Sequence, residues 1–255
     1  MKLSFIAVSA FAFFSATLAR AENYSIKESF SRTGAFDAKG EVTLENVNGD
    51  VEVRTWDKNE ILVEGEKSAK TDEELKLIDL QIDLSTSRAD IRVKLPKRPG
   101  NMFSKNTIRA SVRFRLMIPA TAAVSKLSTV NSSVTIDGTR GPVNASSVNG
   151  GVRATDLAGN TKLETVNGSI DARFAALAAD QTLSFETVNG RILVKLPKDA
   201  GFKLQTSVVN GHVDCDFPLE LGQKKHGKNL SGKIGDGRAS LKAETVNGSI
   251  KIESL

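Results

Sequence analysis

Four glutamates recur where paired carboxylates could work on sugars. Glu45, Glu164, Glu186 and Glu244 each stand two residues before the Val of a repeated Val-Asn-Gly tripeptide. Carboxylates about 5 Å or about 6.5–9.5 Å apart in one groove are the machinery of glycoside hydrolysis. Three features weigh against that use. Ser128, Ser146 and Ser207 fill the same position in other copies, stacked like charges repel, and Lys162, Lys195 and Lys242 lie close by in sequence. The pattern reads better as a solvated face. One Trp and one Tyr in 255 residues leave little for the aromatic shelves that hold sugars.

The other candidate chemistry is thinner. Gly227 to Lys233 matches most of a phosphate-binding loop, but Ile234 stands where the motif needs a Ser or Thr for magnesium. A flexible basic loop is the simpler account. His212 and His226 are the only histidines and Cys215 the only cysteine, whereas a zinc site needs three or four convergent ligands. Calcium on Asp214 and Asp216 is the nearest approach to a metal site. No Gly-x-Ser-x-Gly elbow marks a hydrolase serine. The expectation is a protein without catalytic residues, metal or cofactor, with a polysaccharide-active enzyme as the alternative.

The elements that would position these residues are set by the tripeptide itself. It occurs at Val47-Asn48-Gly49, Val148-Asn149-Gly150, Val166-Asn167-Gly168, Val188-Asn189-Gly190, Val209-Asn210-Gly211 and Val246-Asn247-Gly248, with a degenerate copy at Val130-Asn131-Ser132. Between Val130 and Val209 the steps are 18, 18, 22 and 21 residues, an internal repeat. β-Branched runs flank each Asn-Gly, so the unit is strand, turn, strand. Two architectures fit. Asn-Gly is a strong hairpin signal, and hairpins at each copy would make an antiparallel β-meander. In a β-solenoid each repeat is one coil, and equivalent residues stack about 4.8 Å apart. Only the second gives a reason for repeating Val and Asn as well as Gly, because stacked amides can hydrogen-bond. The solenoid is therefore expected, with Asn149, Asn167, Asn189 and Asn210 as an internal ladder, Asn48 and Asn247 in the same role, Gly49, Gly150, Gly168, Gly190, Gly211 and Gly248 stacked beside them, and Gly150, Gly168 and Gly190 at positive φ.

The chain begins with Lys2, an apolar run from Leu3 to Leu18, and Ala19-Arg20-Ala21. That is the pattern of a signal peptide over residues 1–21, cut after Ala21, and it implies a periplasmic or secreted protein with no later spanning segment. One domain over residues 22–255 is expected, with irregular N-terminal coils and a cap over 22–125 and regular repeats over 126–255. Cys215, alternating with Val213, reads as a small core residue. Thr71-Asp72-Glu73-Glu74 opens the one expected helix, near residues 71–78. Removing Lys2 and Arg20 lowers the formal charge from +5 to +3, and interspersed signs argue against nucleic acid.

Two stretches interrupt the repeat: Lys97 to Thr107, with Lys97, Arg98 and Lys105, and a loop insertion over 219–238, with Lys224, Lys225, Lys228, Lys233 and Arg238. Such loops are candidates for an anionic glycan or lipid surface, the other expected partner being a cell-envelope protein.

The repeated Thr-Val-Asn-Gly-Ser-Ile frame, the strand-Pro element Phe114 to Pro119 and the closing Ile234-Gly235-Asp236-Gly237-Arg238-Ala239-Ser240-Leu241 run resemble the DUF4097 family of exported bacterial β-strand repeat proteins, proposed adhesins. The resemblance spans most of the chain. It implies an all-β, right-handed parallel β-helix and a non-enzymatic, adhesin-like envelope role, an envelope-stress regulatory partner being another reading. It carries over no catalytic residues.

Overall fold

In the computed structural model, residues 26–95, 110–219, 226–227 and 229–255 are described. The expected signal peptide, the Lys97–Thr107 loop, Lys224, Lys225 and Lys228 lie outside them.

The N-terminal strands are β1 (Ile26–Ala35), β2 (Glu41–Glu45), β3 (Val51–Trp56), β4 (Glu60–Ala69), β5 (Asp79–Leu84), β6 (Arg88–Lys94) and β7 (Ala110–Pro119). The middle strands are β8 (Ala123–Thr129), β9 (Val134–Asp137), β10 (Val143–Ser147), β11 (Val152–Leu157), β12 (Thr161–Asn167), β13 (Ile170–Phe174), β14 (Thr182–Asn189) and β15 (Ile192–Leu196). The last are β16 (Phe202–Cys215), β17 (His226–Gly227), β18 (Ser231–Ile234) and β19 (Ala239–Ser254). All belong to one hydrogen-bonded sheet. The chain is all-β and solenoid-like, with almost no helix. The one helix, α1 (Asp72–Lys76), is capped as its sequence asks: Thr71 Oγ1 accepts from the Glu74 amide.

Strands on either side of an Asn-Gly do not pair with each other. Each pairs in parallel with its equivalent one repeat away, so β12 lies beside β10 and β14, and β13 beside β11 and β15. No meander forms through these strands. Two strand faces meet at the Asn-Gly corner. The first runs β5-β6-β2-β8-β10-β12-β14-β19-β16-β18. The second runs β1-β4-β7-β3-β9-β11-β13-β15-β19-β16-β17. β16 and β19 are long enough to cross the corner and belong to both. The outermost strands at either end pair antiparallel, a change of pattern that stops the parallel stacking.

The core follows strand alternation. Leu163, Thr165, Ile170, Ala172 and Phe174 point inward with their equivalents from neighbouring coils, and Cys215 is buried among them. Phe174 packs edge-on against Phe185, and Phe202 against Phe217. Few rings are needed in an interior this narrow.

Two expectations are corrected. The spatial order of coils departs from chain order. β19, the last strand, lies between β14–β15 and β16, so Asn247 rather than Asn210 follows Asn189. The corner glycines are also not mainly left-handed. Of the six in full tripeptides, only Gly49 (φ 107°) and Gly211 (φ 150°) have positive φ. The rest are needed for close approach. A Cβ on Gly168 would lie 2.6 Å from the Gly150 carbonyl carbon, and one on Gly190 2.6 Å from that of Gly168. The coils touch backbone to backbone at the corner.

Candidate functional site

The surface with the most regular chemistry is the outward side of the first face, ending at the corner. Alternation sends Lys162, Glu164 and Val166 out while Leu163 and Thr165 go in. Parallel, in-register pairing then turns each outward position into a row across the coils.

At the edge of this face the asparagines form a continuous amide chain. Asn131 Nδ2 donates to Asn48 Oδ1 at 2.9 Å, Asn149 to Asn131 at 2.9 Å, Asn167 to Asn149 at 2.9 Å and Asn189 to Asn167 at 2.8 Å. Asn247 donates to Asn189 at 2.8 Å and Asn210 to Asn247 at 2.9 Å. Every amide points the same way, and Asn48 Nδ2 ends the chain on the Ala110 carbonyl at 2.9 Å. The ladder was expected inside. It lies at the surface, because Asn follows an outward Val and the turn begins there.

A hydroxyl row lies directly beneath. Thr165 Oγ1 donates to the Gly150 carbonyl at 2.8 Å, Thr187 to Gly168 at 2.9 Å and Thr245 to Gly190 at 3.3 Å. Ser147 does the same to Ser132 at 2.8 Å. These bonds tie each corner to the coil beside it and satisfy carbonyls that the turn removes from the strand ladder. In the first coil Asn46 takes the place of Thr and donates to the Asn48, Gly49 and Val112 carbonyls.

The glutamates come together as their repeat position requires. Glu164 is in register with Glu186, and Glu186 with Glu244, one strand spacing apart. Lysines neutralise the row. Lys162 Nζ lies 2.9 Å from Glu164, Lys242 Nζ 2.9 Å from Glu244, and Lys126 pairs with Glu45. The hydrogen bond and charge of Glu244, with Glu186 behind it, hold Lys242 above the usual lysine range. A carboxylate bound to its own lysine on an open strand face is poorly placed to be a general acid. The shallow depression on this side, about 300 Å³, is lined by residues such as Ser125, Pro142, Asn144, Asn160 and Lys162, and no carboxylate is among its lining residues. The carboxylates and the concavity do not coincide.

The remaining sequence candidates are dispersed. His212 is exposed, with Nε2 3.4 Å from Asp214 Oδ2. Asp214 and Asp216 point outward from β16. Ser231 to Ile234, the end of the phosphate-loop match, is strand β18. Arg238 is held by Asp236, Nε to Oδ2 2.7 Å, and the Arg238 backbone amide, followed by that side-chain bond, keeps the Asp236 carboxyl below its usual range. Lys233 stands in register with Lys203 on β16. Lys203 adds a cation at this end that sequence reasoning missed, since only pairing brings it beside Lys233.

Sequence reasoning also missed the exposed valines. Val130, Val148, Val166, Val188, Val209 and Val246 are each 36–56% exposed, and they are six of the eight exposed large hydrophobic residues described. The signal was available: if Leu163 and Thr165 point in, Val166 must point out.

A family model, Toastrack DUF4097, matches residues 35–253. No curated protein matches the sequence. Among solved structures, the chain is similar to a proposed cell adhesion protein from Clostridium sporogenes (13% identity, 89% of this chain and 100% of that one, TM-score 0.49). It is also similar to a proposed adhesin from Bacteroides fragilis (9% identity, 89% and 97%, TM-score 0.36) and to a proposed lipid binding protein from Parabacteroides distasonis (14% identity, 88% and 96%, TM-score 0.31).

Proposed function

We propose, since this chain belongs to the Toastrack DUF4097 family, that it is a non-enzymatic structural and interaction module of the bacterial cell envelope. It is built as a right-handed parallel β-solenoid with Asn-Gly corners. The observation that carries the reading is the state of the one row that could have been catalytic. Glu45, Glu164 and Glu244 are each paired with a lysine on an open face. What the coils offer instead is straight rows of identical side chains on a rigid body, a surface suited to adhesin-like contact. The protein is exported, cleaved after Ala21, and acts in the periplasm or outside the cell. Lys224, Lys225, Lys228 and Lys233, with Arg238, supply a contact for an anionic glycan or lipid surface.

The test has two arms. Mass spectrometry of the protein from envelope and culture fractions is expected to find a chain beginning at Glu22; a retained leader in the cytoplasm would refute export. Mature protein is then compared with a variant carrying Ser at Lys224, Lys225, Lys228 and Lys233 for binding to acidic glycans and to vesicles containing anionic lipid. Salt-sensitive binding that the variant loses supports the contact. Equal binding by both excludes it. Release of reducing or unsaturated sugar ends from envelope polysaccharide would overturn the non-enzymatic reading.

A further inference from the structure

Nothing inside the molecule explains why every coil places Val at the outward position before the corner. The inward Leu and Thr rows fill and tie the interior, Gly permits the backbone contact, and Asn makes the amide chain. Val47, Val130, Val148, Val166, Val188, Val246 and Val209 face solvent, where Thr would serve a strand equally well and dissolve better. Their order in space follows the asparagines, so they form one stripe of seven side chains about 4.8 Å apart, roughly 29 Å long. With six of the seven 36–56% exposed and Val47 half-buried, the stripe offers a few hundred square ångströms of continuous apolar surface, the size at which patches mark contact sites.

We propose that this stripe is a homodimer seam, and that its occupant is the valine stripe of a second copy of the chain. A ladder of identical spacing is the partner whose methyl groups can interdigitate with it along its full length, as facing sheets do in dry zippers. The symmetry follows from the neighbouring rows. A two-fold axis along the strands would reverse the stack and set the glutamate row of one copy against that of the other. A two-fold axis along the stack keeps each coil level with its own counterpart and places the two glutamate rows on opposite sides of the seam. Each row then overhangs the corner of the other copy. At that corner, on the coil of Val188 and Glu186, stands Arg191, exposed and directly after Gly190. Glu186 of one copy is therefore level with Arg191 of the other, twice by symmetry. With the asparagine and glutamate rows included, the covered area approaches the roughly 800 Å² per partner of a stable dimer.

The mature full-length chain is examined by sedimentation equilibrium from about 1 to 200 μM. A dimer is expected. Val166→Lys with Val188→Lys should leave a folded monomer whose melting temperature matches that of wild type diluted below its dissociation constant, because both side chains face solvent within one copy and only association adds stability. Arg191→Glu should weaken association at least tenfold, and adding Glu186→Arg should restore it. That rescue is a result a merely structural role would not give. A wild-type monomer at 200 μM, or a dimer indifferent to both valine substitutions, overturns the proposal. So does a monomer whose wild type, but not its lysine variant, floats with neutral phosphatidylcholine vesicles, which assigns the stripe to a lipid surface instead.

Discussion

Gly168→Ala isolates the backbone contact on which the stack depends. In this conformation, outside the positive-φ region, an alanine is unstrained by itself, so any cost comes from the neighbouring coil. The new Cβ would lie 2.6 Å from the Gly150 carbonyl carbon, 3.0 Å from the Gly151 nitrogen and closest to the Gly150 oxygen. Ordinary contact requires the coils to part by close to 1 Å. The Gly150 carbonyl cannot turn aside, because it accepts from Thr165 Oγ1 at 2.8 Å. Parting also strains the Asn167–Asn149 amide bond and the bond from the Asn167 backbone amide to the Val148 carbonyl. Three bonds weakened at about 1 kcal/mol each, less about 0.5–1 kcal/mol gained from a less flexible unfolded chain, give a loss of about 2–2.5 kcal/mol. For a chain of this length that lowers the melting temperature by about 4–10 °C. Urea unfolding followed by far-UV circular dichroism measures it, with Gly34→Ala as the control. A Cβ there meets only Leu84 atoms at 3.6 Å, so the control should be neutral or slightly stabilising. If Gly168→Ala unfolds within 0.5 kcal/mol of the control, close approach is not why glycine stands at the corner.

Other outcomes follow from the ladders and the ion pairs. Asn189→Ala removes a bond given and a bond received and should cost about 1–2 kcal/mol, while Asn210→Ala, with a single ladder bond, should cost about half; equal urea midpoints for the two would show that the ladder contributes nothing by continuity. Glu253 is held below the usual carboxylate range by hydrogen bonds from Lys251 and then Lys195. Its contribution is therefore present above the unfolded pKa of about 4.3 and lost as pH falls through the folded value. Glu253→Gln should lower the melting temperature at pH 7, and the difference should close on acidification below about pH 4. A gap that persists at pH 2 would assign the effect to packing.

How much of this was legible in the residues can be judged from a few of them. Alternation in Leu163-Glu164-Thr165-Val166 sets which side chains are buried, because a strand has a period of two whatever it pairs with. Thr71 caps its helix by a local bond. Repetition of Val-Asn-Gly implies stacking, because only adjacent coils reward identical residues, and Lys162 and Lys242, two residues before Glu164 and Glu244, imply that those carboxylates are neutralised, while the Lys126–Glu45 pair needed the fold. The order of coils was not legible in the same way. Frames around Asn210 and Asn247 look interchangeable as partners for Asn189, and chain order favours the wrong one. Contact between coils decides it. Thr245 can donate to the Gly190 carbonyl, whereas β16 carries Val208 at that position and cannot. The reason for glycine was hidden too. A turn tripeptide suggests positive φ from local rules alone, and only the packed neighbour shows that the backbone of Gly150 fills the space a Cβ would take.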